Sequence, residues 1–433
     1  MNGGWSSGEA LAVDHTNFRD WIRLGEKLPP GKVATVLIEG RPVRVTQLVC
    51  FQNAVHLAPN SSGAWLRLGS ALGASGEATI DDGGCARQFS ETGCYERSLQ
   101  LDPNFVWAWR NLGASLPRGG RVDLRLGDRT LSFSQQECYE RALQLGPNDG
   151  AHWYNLGTVI PDDERISLVV EGMQLSLSNR ECYERALRLG FHRAEAFVNL
   201  GNCLEPGASA TLMLEGQSTT VSKNECYERA LRLDPSVYQA WYNLGRQVPE
   251  GGTETLHLQG RPVKVSKLEC FKRALELDPS DAGLWASVGA AVSKDSALPL
   301  HLKGETVPFT KRACFERALE LDPNSASAWE SLAGSLPHDG EVSITLSGSP
   351  VRVTPLSCYE RALQIDRKYA HAWYSLSNWV RDGTQVTLTL EGLQLTLSKA
   401  ECRSRAIAFA SAVPGSRPDE IEYRCPTCGE VFK

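Results

Sequence analysis

Thirteen cysteines are the most obvious source of chemistry in this 433-residue chain. Nine of them, Cys50, Cys94, Cys138, Cys182, Cys226, Cys270, Cys314, Cys358 and Cys402, follow one another at a step of 44 residues. A thiol row could support redox exchange or metal binding, but each cysteine would need a base, a resolving thiol or further ligands beside it. No such residue recurs with them. They read instead as small buried residues on a packed helix. Successive helical layers lie about 10 Å apart, beyond the ~7 Å Cα reach of a disulfide. Reduced thiols in a reducing compartment are therefore expected.

The segment Cys425-Pro426-Thr427-Cys428-Gly429 is a different case. It resembles one knuckle of a zinc ribbon. Such sites take four ligands, and no second CxxC or histidine pair is present. Cys85 and Cys203 are off register and distant in sequence. Cys425 and Cys428 are thus half a zinc site, to be completed by a partner, a second copy or further sequence. The alternative is no metal, or a disulfide. A thioredoxin-like context is missing.

A second row could bind rather than react. Aromatic residues keep the same step at Trp21, Trp65, Trp109, Trp153, Phe197, Trp241, Trp285, Trp329 and Trp373. Two residues after each stand Arg23, Arg67, Asn111, Asn155, Asn199, Asn243, Ser287, Ser331 and Ser375. Four asparagines in succession form a ladder. Asparagine carries both donor and acceptor, so a row of them can hold the amides of an extended peptide. The alternative is a tolerated polar residue of a repeat. Catalytic signatures are lacking: the sequence has no P-loop, nucleophile elbow or HExxH.

A fixed period of this size means stacked repeats, with a quasi-one-dimensional core. In the repeat from Pro235 to Asp278, Tyr238, Trp241, Leu244 and Gly245 share one face of a first helix. Pro249 and Gly251-Gly252 end it. A second helix starts at a Ser266/Glu269 capping box and carries Cys270, Phe271, Ala274, Leu275 and Leu277. The same box recurs at Ser134/Glu137, Ser178/Glu181, Ser222/Glu225 and Ser398/Glu401.

Trp241, Leu244 and Gly245 on the first helix, with Phe271, Ala274, Leu275 and Pro279 on and after the second, resemble the tetratricopeptide repeat. The resemblance covers about nine tenths of the chain. It implies helix A and helix B stacked into a right-handed superhelix with a concave binding face. The asparagine row matches in position the one on the inner surface of the O-GlcNAc transferase superhelix, which implies sequence-tolerant peptide binding at Asn111, Asn155, Asn199 and Asn243. No glycosyltransferase domain accompanies it here. The family's carboxylate clamp needs lysine after the helix A glycine position. That position holds Glu26, Ser70, Ala114, Thr158, Asn202, Arg246, Ala290, Gly334 and Asn378, so the clamp is not expected.

The standard unit of that family has about 34 residues, and the extra ones here are not loop-like. Around Glu171-Gly172 and Glu391-Gly392 the chain alternates with period two, which predicts a β-hairpin between the two helices. One face of the fourth hairpin would be buried: Ile166, Leu168, Val170, Met173, Leu175 and Leu177. In the third repeat the turn glycine slips by one, to Gly127-Asp128, and the second repeat is irregular at residues 80–85. Exposed hairpin faces carry Arg44, Lys264, Arg352, His257 and His301, a solvated surface or a second protein-binding one.

The expected fold is an α+β solenoid: residues 1–14 as an N-terminal cap, 15–410 as nine repeats, 411–424 as a linker and 425–433 as the CxxC tail. A net charge of −6 gives no footprint for nucleic acid or an anionic membrane surface. No apolar stretch reaches the ~18 residues of a membrane span, and the first residues lack a secretory signal. The expectation is a cytoplasmic, non-enzymatic scaffold, monomeric, with protein or peptide partners, bound along the concave face through Asn111, Asn155, Asn199, Asn243, Arg67 and Arg23. The second reading is a structural subunit docked through the hairpins and tail. Zinc at Cys425 and Cys428 is the one cofactor considered.

Overall fold

The computed structural model describes residues 11–74, 76–81, 86–214, 216–258, 260–294, 296–302, 304–410, 423–424 and 431–432. The chain divides into two compact segments, Met1–Lys223 and Asn224–Lys433. Both are built from one motif, helix A, hairpin, helix B.

In the first segment helix A occurs at Phe18–Lys27, Ser62–Leu72, Val106–Ser115, Gly150–Val159 and Ala194–Cys203. Helix B occurs at Gln47–Leu57, Glu91–Leu101, Gln135–Leu145 and Asn179–Arg188. The two pack closely because helix A has a glycine where helix B presents a ring. A Cβ at Gly69 or Gly113 would lie 2.7 Å from Tyr95 or Tyr139. The hairpin folds back over the other flank of helix A, and its phenylalanines meet the tryptophans. Ring centroids are 4.6 Å apart for Trp65–Phe89 and 4.8 Å for Trp109–Phe133. Each indole N–H donates to the carbonyl six residues upstream, as from Trp65 to Pro59 at 2.7 Å and from Trp153 to Pro147 at 2.7 Å. The tryptophans are thus sealed under the hairpins as well as between helices, with their one polar atom satisfied.

In the second segment helix A occurs at Tyr238–Gln247, Ala282–Ala291, Ala326–Ser335 and Ala370–Trp379. Helix B occurs at Lys223–Leu233, which spans the division, and at Lys267–Leu277, Lys311–Leu321, Pro355–Ile365 and Lys399–Ala410. Trp285 meets Phe309 at 4.8 Å. Helix B of one repeat also reaches the next hairpin. Glu228 accepts from the backbone N–H of His257 at 2.8 Å, Glu276 from that of His301 at 2.8 Å, and Glu360 from that of Thr389. These carboxylates occupy the outer edge of the first strand, which would otherwise offer unpaired donors. In the first repeat a short strand, Leu11–Ala12, pairs parallel with Val33–Ile38 and does the same.

All nine predicted hairpins are present. Glu39-Gly40, Glu171-Gly172, Ser347-Gly348 and Glu391-Gly392 have both turn residues at positive φ, the type I′ turn that matches strand twist. The third hairpin does not slip. Leu126 pairs with Arg129 across Gly127-Asp128, the positions equivalent to 171–172. Its glycine moves to the first turn position, with φ 60°, which suits a type II′ turn. In the second repeat Glu77–Asp81 pairs with Ala86–Ser90, and residues 82–85 lie outside the described residues.

Two expectations need correction. The hairpin face is buried along its first strand, at Leu168 and Val170, and at the base of the second, at Leu177. Met173 and its counterpart Leu393 are 59% and 61% exposed, although their cross-strand partners Val170 and Leu390 are buried, so at the tip only the first strand is covered. The capping boxes at Ser134/Glu137, Ser178/Glu181 and Ser398/Glu401 are complete. At Ser266/Glu269 only the serine caps, since Glu269 turns to Arg273 at 3.0 Å.

Candidate functional site

The face of helix A opposite the tryptophan is the open one. At 100° per residue, positions two before, two after and five after the aromatic lie about 140–200° around the helix from it. Trp107, Ala114, Thr158 and Asn202 are exposed there, and Asn111, Asn155 and Asn199 are half-buried beside them. The hairpin lies over the other flank, so it does not cover these amides. Arg23 and Arg67, at the head of the row, are exposed. In the second segment Asn243 holds the same position and is also half-buried.

Several members of the row are tied sideways. Arg67 forms an ion pair with Glu26 of the preceding helix A, and Arg23 lies 3.6 Å from Asp20. Asn111 donates to the Ser70 hydroxyl at 3.2 Å, and its Oδ1 accepts from the Arg110 guanidinium at 3.2 and 3.3 Å. Tyr95 donates to Ser70 and to Glu91 at 3.4 and 3.1 Å. Burial raises the Tyr95 hydroxyl to about 12, so it stays a donor at neutral pH. Asn199 donates to the Tyr154 hydroxyl at 3.4 Å. These bonds orient the amides of Asn111 and Asn199 along the face.

Sequence reasoning missed the residues one position after the aromatic. Arg110 stacks over Trp107, with Cζ 4.4 Å from the ring centroid. In the second segment Glu330 is a buried carboxylate, which accepts from Ser375 at 2.6 Å and lies 3.1 Å from His371 Nδ1. Ser375 belongs to the predicted row, so this row position meets a neighbouring helix A in both segments. The position varies from repeat to repeat, and only its helical phase relative to the asparagines could have drawn attention to it.

The register cysteines are inert. All nine are free and buried, and burial lifts Cys138 and Cys270, among others, to about 12. Thiolate is therefore strongly disfavoured at neutral pH. The segment Cys425–Cys428 lies outside the described residues, as do residues 411–422. The backbone on either side is described, and Tyr423–Arg424 pairs antiparallel with Val431–Phe432. Among the described residues no group of three or more His, Cys, Asp or Glu is placed to hold a metal. No helix among them is long and apolar enough to cross a membrane.

No protein-family model matches the chain, and no curated protein does. Among solved structures it is similar to YrrB, described as a TPR protein with an unusual peptide-binding site, at 16% identity. The match covers 53% of this chain and 92% of that one with a TM-score of 0.28, an overlap too low to transfer a fold or a site.

Proposed function

We propose that this chain is a non-enzymatic scaffold that binds extended peptide segments of partner proteins along the open face of helix A. The observation that carries this reading is the placement of Asn111, Asn155 and Asn199. All three are half-buried and opposite the flank the hairpin covers, and Asn111 and Asn199 are oriented by neighbours. Backbone recognition by side-chain amides favours extended ligands of varied sequence. Arg23 and Arg67 would add charge at one end, although Arg67 would first have to leave Glu26. The reading includes a monomeric protein with right-handed tetratricopeptide-type stacking, a cytoplasmic setting, and zinc at Cys425 and Cys428 only when further ligands are supplied. The second reading, a fixed subunit of a larger assembly, draws support from the exposed hairpin tips.

The test replaces Asn111, Asn155, Asn199 and Asn243 with alanine and measures binding to peptides selected from a random display library. Each lost hydrogen bond is worth about 1 kcal/mol, so affinity should fall tenfold or more. Thermal unfolding should shift by only about a few degrees. A library that yields no binder on the parent chain defeats the reading, and so does a quadruple variant that loses stability and binding in equal measure.

A further inference from the structure

A second site lies elsewhere on the fourth repeat, where the second hairpin strand passes the end of helix B. A cavity of about 210 Å³ opens there. Its walls include Trp153, Val170, Met173, Leu175 and Leu189. Met173 and Leu189 stay largely exposed at its rim, at 59% and 41%. The volume falls below the ~300–1,000 Å³ of small-molecule sites and suits one or two protein side chains.

Arg185 and Arg188 both line the cavity, and Arg185 stacks on Trp153 at 4.7 Å. In four other repeats the arginine at the Arg185 position is held by the residue three further along its own helix. Arg97 donates to Gln100 at 3.4 Å, Arg141 to Gln144 at 3.4 Å, Arg317 to Glu320 at 2.6 Å and Arg361 to Gln364 at 3.3 Å. In the fourth and fifth repeats that acceptor is itself an arginine, Arg188 and Arg232, but Arg232 lies 3.8 Å from Glu228, whereas the equivalent Glu184 is bound to Arg180 at 2.8 Å. Glu171, at the turn, lines the same cavity, but among the described residues no ion pair joins it to either arginine. Two guanidinium groups therefore flank an apolar cavity without a carboxylate bound to them.

We propose that this cavity docks a segment of a partner protein presenting an aliphatic or aromatic side chain next to a carboxylate. The side chain would cover the apolar walls, and the carboxylate would supply the acceptor that Gln or Glu supplies in other repeats. A buried side chain rimmed by charge pairs is the usual form of an interface anchor. This site is independent of the asparagine face.

The chain has three methionines, Met1, Met173 and Met213, so ¹³C-methyl-methionine labelling of the full chain gives a nearly direct view of the cavity. The probes are short acetylated peptides carrying one leucine or phenylalanine and one glutamate at varied spacing, the same peptides with glutamine, and octanoate. The Met173 methyl resonance should shift saturably with at least one glutamate peptide, roughly fivefold more tightly than with its glutamine twin. In Arg188→Gln, which restores the Arg-Gln pairing of the second, third and eighth repeats, the two peptides should bind alike. The proposal is overturned if Met173 responds to no peptide, if the glutamate and glutamine peptides match on the parent chain, if Arg188→Gln keeps the preference, or if octanoate alone shifts the signal.

Discussion

Trp153 and Asn155 stand two residues apart on one helix and lead different lives. Trp153 is 3% exposed, under a hairpin and an arginine, with its N–H bonded to Pro147. Asn155 is half-buried on the opposite, open side. The sealed flank repeats almost unchanged through the chain: nine cysteines, and eight tryptophans with one phenylalanine. On the open flank the position five after the aromatic varies at nearly every step, from Glu26 through Ala114 to Arg246 and Gly334, while the position two after it keeps asparagine through four repeats. A close-packed interior admits few shapes, while a surface position is constrained only by what it meets. Recurrence on the sealed flank therefore follows from packing, whereas recurrence on the open flank, as in the asparagine row, has no such cause and marks a candidate binding face.

The largest test of that contrast removes a sealed aromatic. Trp241→Ala should destabilise the protein by about 3–5 kcal/mol, read as a lower denaturant midpoint, while Trp107→Ala on the open side should change stability by less than about 1 kcal/mol. Similar losses would erase the distinction between the two flanks.

Two glycines sharpen it at smaller scale. A Cβ at Gly245 would sit 2.7 Å from the Phe271 ring, whereas at Gly334 nothing lies within 4 Å. Alanine is the better helix former at either place by about 1 kcal/mol. At Gly245 overpacking should win, for a net loss of about 1–3 kcal/mol. At Gly334 the propensity gain should stand alone. Calorimetry on the two variants should show midpoints moving in opposite directions.

The smallest effect concerns an exposed polar group that still belongs to the scaffold. The Ser134 backbone N–H, with further help from the serine hydroxyl and Arg121, holds the Glu137 carboxyl below the usual range against the opposing pull of burial. A depressed folded-state pKa stabilises above the unfolded value of about 4.3 and is lost as pH falls through the folded one. Glu137→Gln should thus cost less than about 1 kcal/mol at neutral pH, and the gap should close in acid. A constant difference across the titration would exclude the linkage.

Most of this fold was legible because the sequence states it nine times. The helices, the hairpins and the sealed tryptophans follow from spacing, alternation and turn chemistry. What escaped depended on length in three dimensions. Alternation puts Met173 on the inner face, yet only coordinates show that it stays exposed while Val170 across the turn is buried. The glycine of Gly127-Asp128 reads as a slip in sequence and proves to be a change of turn type at a fixed position. The asparagine row was found by period, but its ties to Ser70 and Tyr154 join residues more than 40 positions apart. Pairings of that kind leave no mark in local pattern. The unpaired arginines beside Met173 became visible only when their counterparts in four other repeats were seen bonded.

The carboxylates that close the outer strand edges, from Glu228, Glu276 and Glu360, make each of those hairpins depend on the repeat before it. At the first repeat the strand Leu11–Ala12 stands in for that neighbour. Duplication ahead of one of these three hairpins must therefore bring a carboxylate with it, whereas the first hairpin has its own stopper in the strand Leu11–Ala12. A shortened chain beginning at a hairpin would expose bare amide donors to its neighbours in solution, and its failure would be fibrous association rather than unfolding.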